Sequence, residues 1–253
     1  MKTCAEPHAG GGKGYPDAQF FLAECYRKGA FGSVKNLDKA FALYTKASKL
    51  GHAPSAYYRG LAFELGLGTK VNEKKALELF RTAASAGVTA AALKLGVVYQ
   101  RGLLKQKANE ATALLWLKRA AADAATAAQV VATANTGDDG GDDSTTSGEQ
   151  DEAAKALKLA ALASRNVYAL HACWLLGMHY EKSSKAEDRE AAFHFFLDAA
   201  ELQYPPAAFK VAMCLRDGVG VDADHEQAAQ WFEAAKANGV SNLAQITNLP
   251  LPT

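Results

Sequence analysis

Small and aromatic residues recur along this chain in a fixed order. Four seven-residue segments superpose: AECYRKG (Ala23 to Gly29), GLAFELG (Gly60 to Gly66), GVVYQRG (Gly96 to Gly102) and AMCLRDG (Ala212 to Gly218). Each has a small residue, an aromatic or Leu three positions on, and Gly three further. Positions three and four apart share one face of a helix, so these residues form a stripe. Gly29, Gly66 and Gly102 follow one another at intervals of 37 and 36 residues. A fifth copy, GMHYEKS (Gly177 to Ser183), ends in Ser.

A second pattern follows each of these segments: Ala, two positions, two bulky apolar residues, two positions, Ala. Its copies are AFALYTKA (Ala40 to Ala47), ALELFRTA (Ala76 to Ala83), ALLWLKRA (Ala113 to Ala120), AFHFFLDA (Ala192 to Ala199) and AAQWFEAA (Ala228 to Ala235). Gly51, Gly87 and Gly239 stand three or four residues later, where a left-handed cap ends a helix.

Each unit therefore reads as helix A, a glycine-containing turn, helix B and a connector. One such unit cannot bury its apolar face, whereas stacked neighbours can. A period of this length predicts a solenoid. The expected fold is all-α, a right-handed α/α superhelix of about six helix-turn-helix repeats. The units fall near residues 15–51, 52–87, 88–124, 125–165, 166–203 and 204–240. The fourth is inferred from the gap of 81 residues between Gly102 and Ser183. Its helix A would be Ala127 to Asn135 and its helix B Glu152 to Ser164, flanking an acidic, disordered loop at 136–150. Flexible tails are expected at 1–14 and 241–253.

The pattern small-x-x-Tyr-x-x-Gly, then Ala-x-x-Trp-aromatic-x-x-Ala, resembles the Sel-one-like repeat, a relative of the tetratricopeptide repeat. The sixth unit, AAFKVAMCLRDGVGVDADHEQAAQWFEAAKANG, carries the resemblance most fully. A narrower likeness lies in the first two units. YPDAQFFLAECYRKGAFG and AFALYTKASKLGHAPSAYYRG are similar to the opening of the repeat array in the fungal chitin synthase III activator family. That resemblance implies an accessory role: activating or localising a membrane enzyme, such as a chitin synthase, through protein contacts. The sequence departs from that family after the second unit. A cell-cycle regulatory adaptor and a structural or self-associating array remain open as alternatives.

Composition narrows the function classes. The formal net charge is +1, so no basic stripe calls for nucleic acid. No stretch approaches the ~20 apolar residues of a membrane span. The first residues, MKTCAEPHAGGGKG, lack the apolar middle of a signal peptide. The expected location is cytoplasmic, reaching the plasma membrane or septum only through partners.

Candidate chemistry adds little. GGGKG (Gly10 to Gly14) is not followed by Ser or Thr and follows no strand, so it reads as tail rather than phosphate loop. His8, His52, His171, His179, His194 and His225 are scattered without the spacing of a zinc motif, and read as surface or capping residues. Cys25, Cys173 and Cys214 fall beside or on the helix A stripe and read as buried apolar residues. Asp138 to Glu149 lacks the Gly that a calcium loop needs at its sixth position, which is Asp143. Thr146, with Glu149 three residues on, is a weak candidate for phosphorylation. No catalytic residue, metal or cofactor is expected.

Binding is expected on helix A, which usually lines the concave side of such superhelices. One row of that helix reads Phe20, Tyr57, Leu93, Trp174 and Phe209, and is read as inter-repeat core. The next reads Phe21, Tyr58, Lys94, Leu175 and Lys210. A third reads Glu24, Leu61, Val97, Met178 and Met213. These last two rows mix apolar and charged residues as a peptide groove does. The expected contacts for a protein or peptide segment are Phe21, Glu24, Tyr58, Leu61, Lys94, Val97, Lys210 and Met213. Phe21→Ala and Tyr58→Ala are expected to weaken partner capture and leave the fold intact.

Overall fold

Four of the predicted B helices open after a polar residue that closes the first turn. Asn36, Asn72, Asn109 and Asp224 accept through their side chains from the backbone N–H three residues on, at 2.9, 3.0, 2.9 and 2.9 Å. Such caps satisfy one of the amides a helix start leaves unpaired and are worth about 1 kcal/mol each. The same four residues donate their own N–H to helix A, at Tyr26, Phe63, Tyr99 and Leu215, each at 2.8 Å. In these four repeats one residue starts helix B and ties it to helix A.

The computed structural model describes residues 15–135 and 166–238. The expected tails, the acidic loop with Thr146 and the expected helix Glu152 to Ser164 lie outside the described residues. Ten helices are present among those residues, and no strand: α1 (Pro16–Lys28), α2 (Leu37–Lys49), α3 (Ala53–Leu65), α4 (Glu73–Ser85), α5 (Thr89–Arg101), α6 (Glu110–Asn135), α7 (Val167–Tyr180), α8 (Ala186–Glu201), α9 (Pro205–Asp217) and α10 (His225–Ala237). They form five A–B pairs, an all-α helix-pair solenoid. The chain folds as two compact units, Met1–Trp116 and Leu117–Thr253. The first holds α1 to α5 and the start of α6. The second holds the rest of α6 and α7 to α10.

Within a pair, the small residue of helix A lies on the bulky residue of helix B. A Cβ at Gly60 would come within 2.7 Å of the Phe80 ring, and Gly177 lies as closely on Phe196. Phe80 and Phe196 are fully buried, as are Ala83 and Ala199 one turn on. The small stripe residues therefore let two helix backbones close over an aromatic ring. Dense packing of this kind leaves no slack for added volume.

The expected break near residue 124 does not occur. Helix α6 runs without interruption from Glu110 to Asn135, so the third helix B and the expected fourth helix A are one helix. The reason lies in the sequence. Gly51 and Gly87, both left-handed, end α2 and α4, whereas α6 is Ala-rich and meets neither Gly nor Pro.

Helix α7 then packs on α6 directly. Lys118 lies over the Tyr180 ring at 5.5 Å, Cys173 Sγ approaches the Ala121 carbonyl at 3.9 Å, and Asn166 reaches Asp123 at 3.4 Å. Arg81 lies over Tyr99 at 6.0 Å in the same way, between α4 and α5. Arg81 and Lys118 hold one repeat position, and so do Tyr99 and Tyr180. The α7–α8 pair thus follows α6 in the register of a next neighbour. Among the described residues, five helix pairs are present.

Candidate functional site

The second helix A row is a seam between repeats. Three of its residues face a partner two positions before the Gly or Ser that ends the small-aromatic segment of the preceding repeat. Arg27 of α1 lies over the ring of Tyr58 on α3 at 5.3 Å. Glu64 of α3 pairs with Lys94 on α5 at 2.8 Å. Glu181, which closes α7, holds Lys210 on α9 at 2.7 Å with both carboxylate oxygens. Lys94 and Lys210 also lie over the Phe80 and Phe196 rings, both at about 6 Å. The charges read as a waiting groove are spent on holding neighbours together. The partners Arg27, Glu64 and Glu181 were missed, although their shared repeat position was a usable signal.

Glu24 is engaged in the same manner. It accepts from Arg27 at 2.8 and 2.7 Å, pairs with Lys28 at 3.2 Å, and accepts from the Tyr44 hydroxyl. Burial alone would raise its carboxyl, but the donors Arg27, Tyr44 and Lys28 outweigh burial and hold it below the usual range. Burial first, and then the bond to Glu24, push the Tyr44 phenol up. Tyr44 stacks on Tyr58 at 5.4 Å, and Phe20 tilts against both rings. The result is a closed aromatic and ionic cluster joining the first two repeats.

Val97 is 2% exposed and Lys210 8% exposed, so neither offers a surface to a partner. Both are corrected from contact residues to packing residues. Leu61, Tyr58 and Met213 are half-buried, and Phe21 is exposed. Tyr58→Ala is therefore not silent. Loss of the Tyr44 stack and the Arg27 contact should cost about 1–2 kcal/mol. Urea unfolding checks this, with Phe21→Ala as the near-neutral companion.

Other sequence candidates have structural roles. His52 caps α3: its Nδ1 accepts from the Ser55 N–H at 3.2 Å, and its Nε2 lies 3.1 Å from Asp17. His171 is buried rather than on the surface, with Nδ1 3.2 Å from the Tyr204 hydroxyl. Cys25, Cys173 and Cys214 are buried and free. Burial, with Asp198 nearby, pushes the Cys173 thiol up to about 12, and burial lifts Cys214 to about 11. Both stay protonated at neutral pH and are poor nucleophiles.

Among the described residues, exposed apolar side chains gather at the first repeat. Phe21, Leu22, Cys25 and Tyr26 of α1 and the turn residues Phe31 to Val34 line a groove of about 430 Å³, with Asn36 and Lys39 at its edge. Phe21 and Phe31 meet at 5.6 Å.

The Sel1 repeat model matches five stretches of the chain, residues 16–52, 53–88, 89–123, 170–204 and 205–240. The chain belongs to the Sel1 repeat family. These five Sel1 matches coincide with the five helix pairs and leave 124–169 outside, where α6 overruns the repeat. Among curated proteins, the chain is 32% identical over 271 residues to the chitin synthase regulator SKT5 of Saccharomyces cerevisiae, covering 89% of this chain and 38% of that protein. It is 34% identical over 105 residues to chitin synthase regulatory factor 3 of Schizosaccharomyces pombe, covering 42% of this chain and 11% of that protein. The chain thus spans well under half the length of these relatives. A crystal structure of a Sel1 repeat protein from Oxalobacter formigenes superposes with a TM-score of 0.61 at 23% identity, over 89% of this chain and 72% of that one. That likeness is one of fold.

Proposed function

We propose that this chain is a non-catalytic adaptor that engages a chitin synthase, or a protein that positions one, through the helix A face of its Sel1 repeats. The carrying observation is the run of relatives named as chitin synthase regulators, the longest match covering 89% of this chain. The chemistry agrees with that reading. The charged helix A groups are tied to one another, as Glu24, Glu64 and Glu181 show. Groups held this way build a rigid platform rather than a poised acid or base.

The surface left for a partner is the half-buried apolar row, with Leu61 in the first unit and Met213 in the second. An extended or helical segment with apolar anchors matches such a row. Among the described residues no helix is long and apolar enough to cross a membrane. The adaptor would then reach a membrane enzyme by protein contact, in the cytoplasm, where free thiols persist.

The test is co-purification of chitin synthase from detergent-solubilised fungal membranes on the tagged chain. Leu61→Lys and Met213→Lys should each lower capture about tenfold or more, as anchor residues do, with unfolding midpoints near the parent's. No chitin synthase on the resin, or capture unchanged by both substitutions, would sink this reading.

A further inference from the structure

In later repeats the turn between helix A and helix B is roofed by the preceding helix B. In the second repeat, Phe41 of α2 meets Phe63 edge-on at 5.2 Å, and Gly68 lies directly under the Leu37 carbonyl. In the third, Glu73 of α4 pairs with Lys105 in the turn at 3.4 Å, and Leu77 and Arg81 face Leu104 across a groove. In the fifth, Gly220 lies directly under the Arg189 carbonyl of α8.

The first repeat has the same kind of turn. Gly29 to Asn36 and Gly102 to Asn109 are equal in length. Both are left-handed at the third and fourth residues: Phe31 (φ 54°) and Gly32 (φ 74°), and Leu104 (φ 51°) and Lys105 (φ 57°). Yet no described helix roofs the first turn. A Cβ at Gly32 would meet nothing within 4 Å. Phe31 is 73% exposed, Val34 84% and Phe21 45%, side by side around the groove. An apolar group of this kind on a soluble surface marks a contact site. Lys39, exposed, lines its edge over the Tyr26 ring, and Lys35 is exposed in the same turn, with Asp38 between them; Lys28 is paired with Glu24.

We propose that this groove docks an amphipathic helix of a partner protein, which enters by an acidic first turn. The template is α4 on the third repeat: a capping Asn72, an acidic Glu73 that meets the turn's lysine, and Leu77 one turn on. Gly32 stands at the position of Lys105, so at the first repeat the acid would meet Lys35, three residues further on, and the apolar side chain lies against Phe21 and Phe31. A second copy is a poorer occupant. Its α10 turns Gln230, Glu233 and Lys236 to solvent, which do not match two phenylalanines. The site extends the adaptor reading by giving the scaffold a second contact of stated chemistry.

The probe is a side-chain-stapled helical peptide with the sequence of residues 71–86, labelled for fluorescence anisotropy and titrated with the intact chain. Binding is expected at or below about a hundred micromolar. Phe31→Ser and Val34→Ser, both at exposed positions, should each weaken it about tenfold. Glu73→Lys in the peptide should do the same, and added salt should weaken the parent complex. No anisotropy change to about 1 mM, or equal binding by the Phe31→Ser, Val34→Ser double variant, would overturn the site. Self-association of the chain that is lost in Phe31→Ser would overturn the occupant in favour of a second copy. No chitin synthase enters this titration, so its failure is separate from failure of the adaptor reading.

Discussion

Replacing Gly220 with Ala should lower stability by about 3 kcal/mol, on two separate grounds. The residue sits at φ +75°, and a left-handed conformation costs an L-residue roughly 1–2 kcal/mol. The added Cβ would also enter the Arg189 carbonyl at the start of α8. That obstacle is backbone inside a helix, so it cannot rotate aside as a ring can. Relieving such a collision costs roughly another 1–3 kcal/mol. Gly68 faces the Leu37 carbonyl at φ +68° and should behave alike in the first unit. Gly32 is the built-in control, since it shares the left-handed backbone (φ +74°) and has open space around it. Gly32→Ala should cost only about 1 kcal/mol. Urea midpoints of the three variants separate conformation from collision. Equal losses at Gly220 and Gly32 would mean that the preceding helix B does not roof the fifth turn.

The contrast shows what the sequence could and could not tell. The repeat, its helix A and helix B, and the family were legible because each pair repeats the same steric need. A small residue must lie over a bulky one, and Gly60 over Phe80 and Gly177 over Phe196 write that need into the sequence. The Asn and Asp caps recur in four of the five described pairs, and a search for polar residues ahead of helix B would have found them. The helix break near residue 124 was misplaced because spacing counts residues and not turns. A helix without Gly or Pro uses them up by running on, as α6 does to Asn135. The binding rows were legible as rows but not as roles. Alternating charged and apolar residues describe an open groove and an inter-repeat seam equally well. Only the partners at Arg27, Glu64 and Glu181 distinguish the two.

That distinction gives the second large effect, at Lys210. The ammonium lies 2.7 Å from both oxygens of Glu181, over the Phe196 ring, with its side chain 10% exposed. Glu181→Gln should cost about 2–3 kcal/mol, because the charge stays out of water while its counter-ion is gone. The figure lies at or below the lower end for buried pairs, since the Glu181 side chain is 29% exposed and solvent screens part of the loss. Lys210→Met should cost only about 1 kcal/mol: the thioether stem keeps the packing on Phe196, and Glu181 can turn to water. The double variant should then be no worse than Lys210→Met alone, because neither charge remains to be stranded. The resulting coupling of about 2 kcal/mol is read from urea unfolding of the four proteins. A lysine held in reserve for a ligand predicts the opposite. Both single substitutions would be nearly neutral, their effects would add, and only partner capture would fall. Lys94 with Glu64 repeats the pairing in the first unit through one carboxylate oxygen at 2.8 Å, where Lys210 holds two, so a smaller coupling of the same sign is expected there. Two seams of one sign, the stronger at the pair with two contacts, would establish that the charged row holds neighbouring repeats together and leaves recognition to the apolar row beside it.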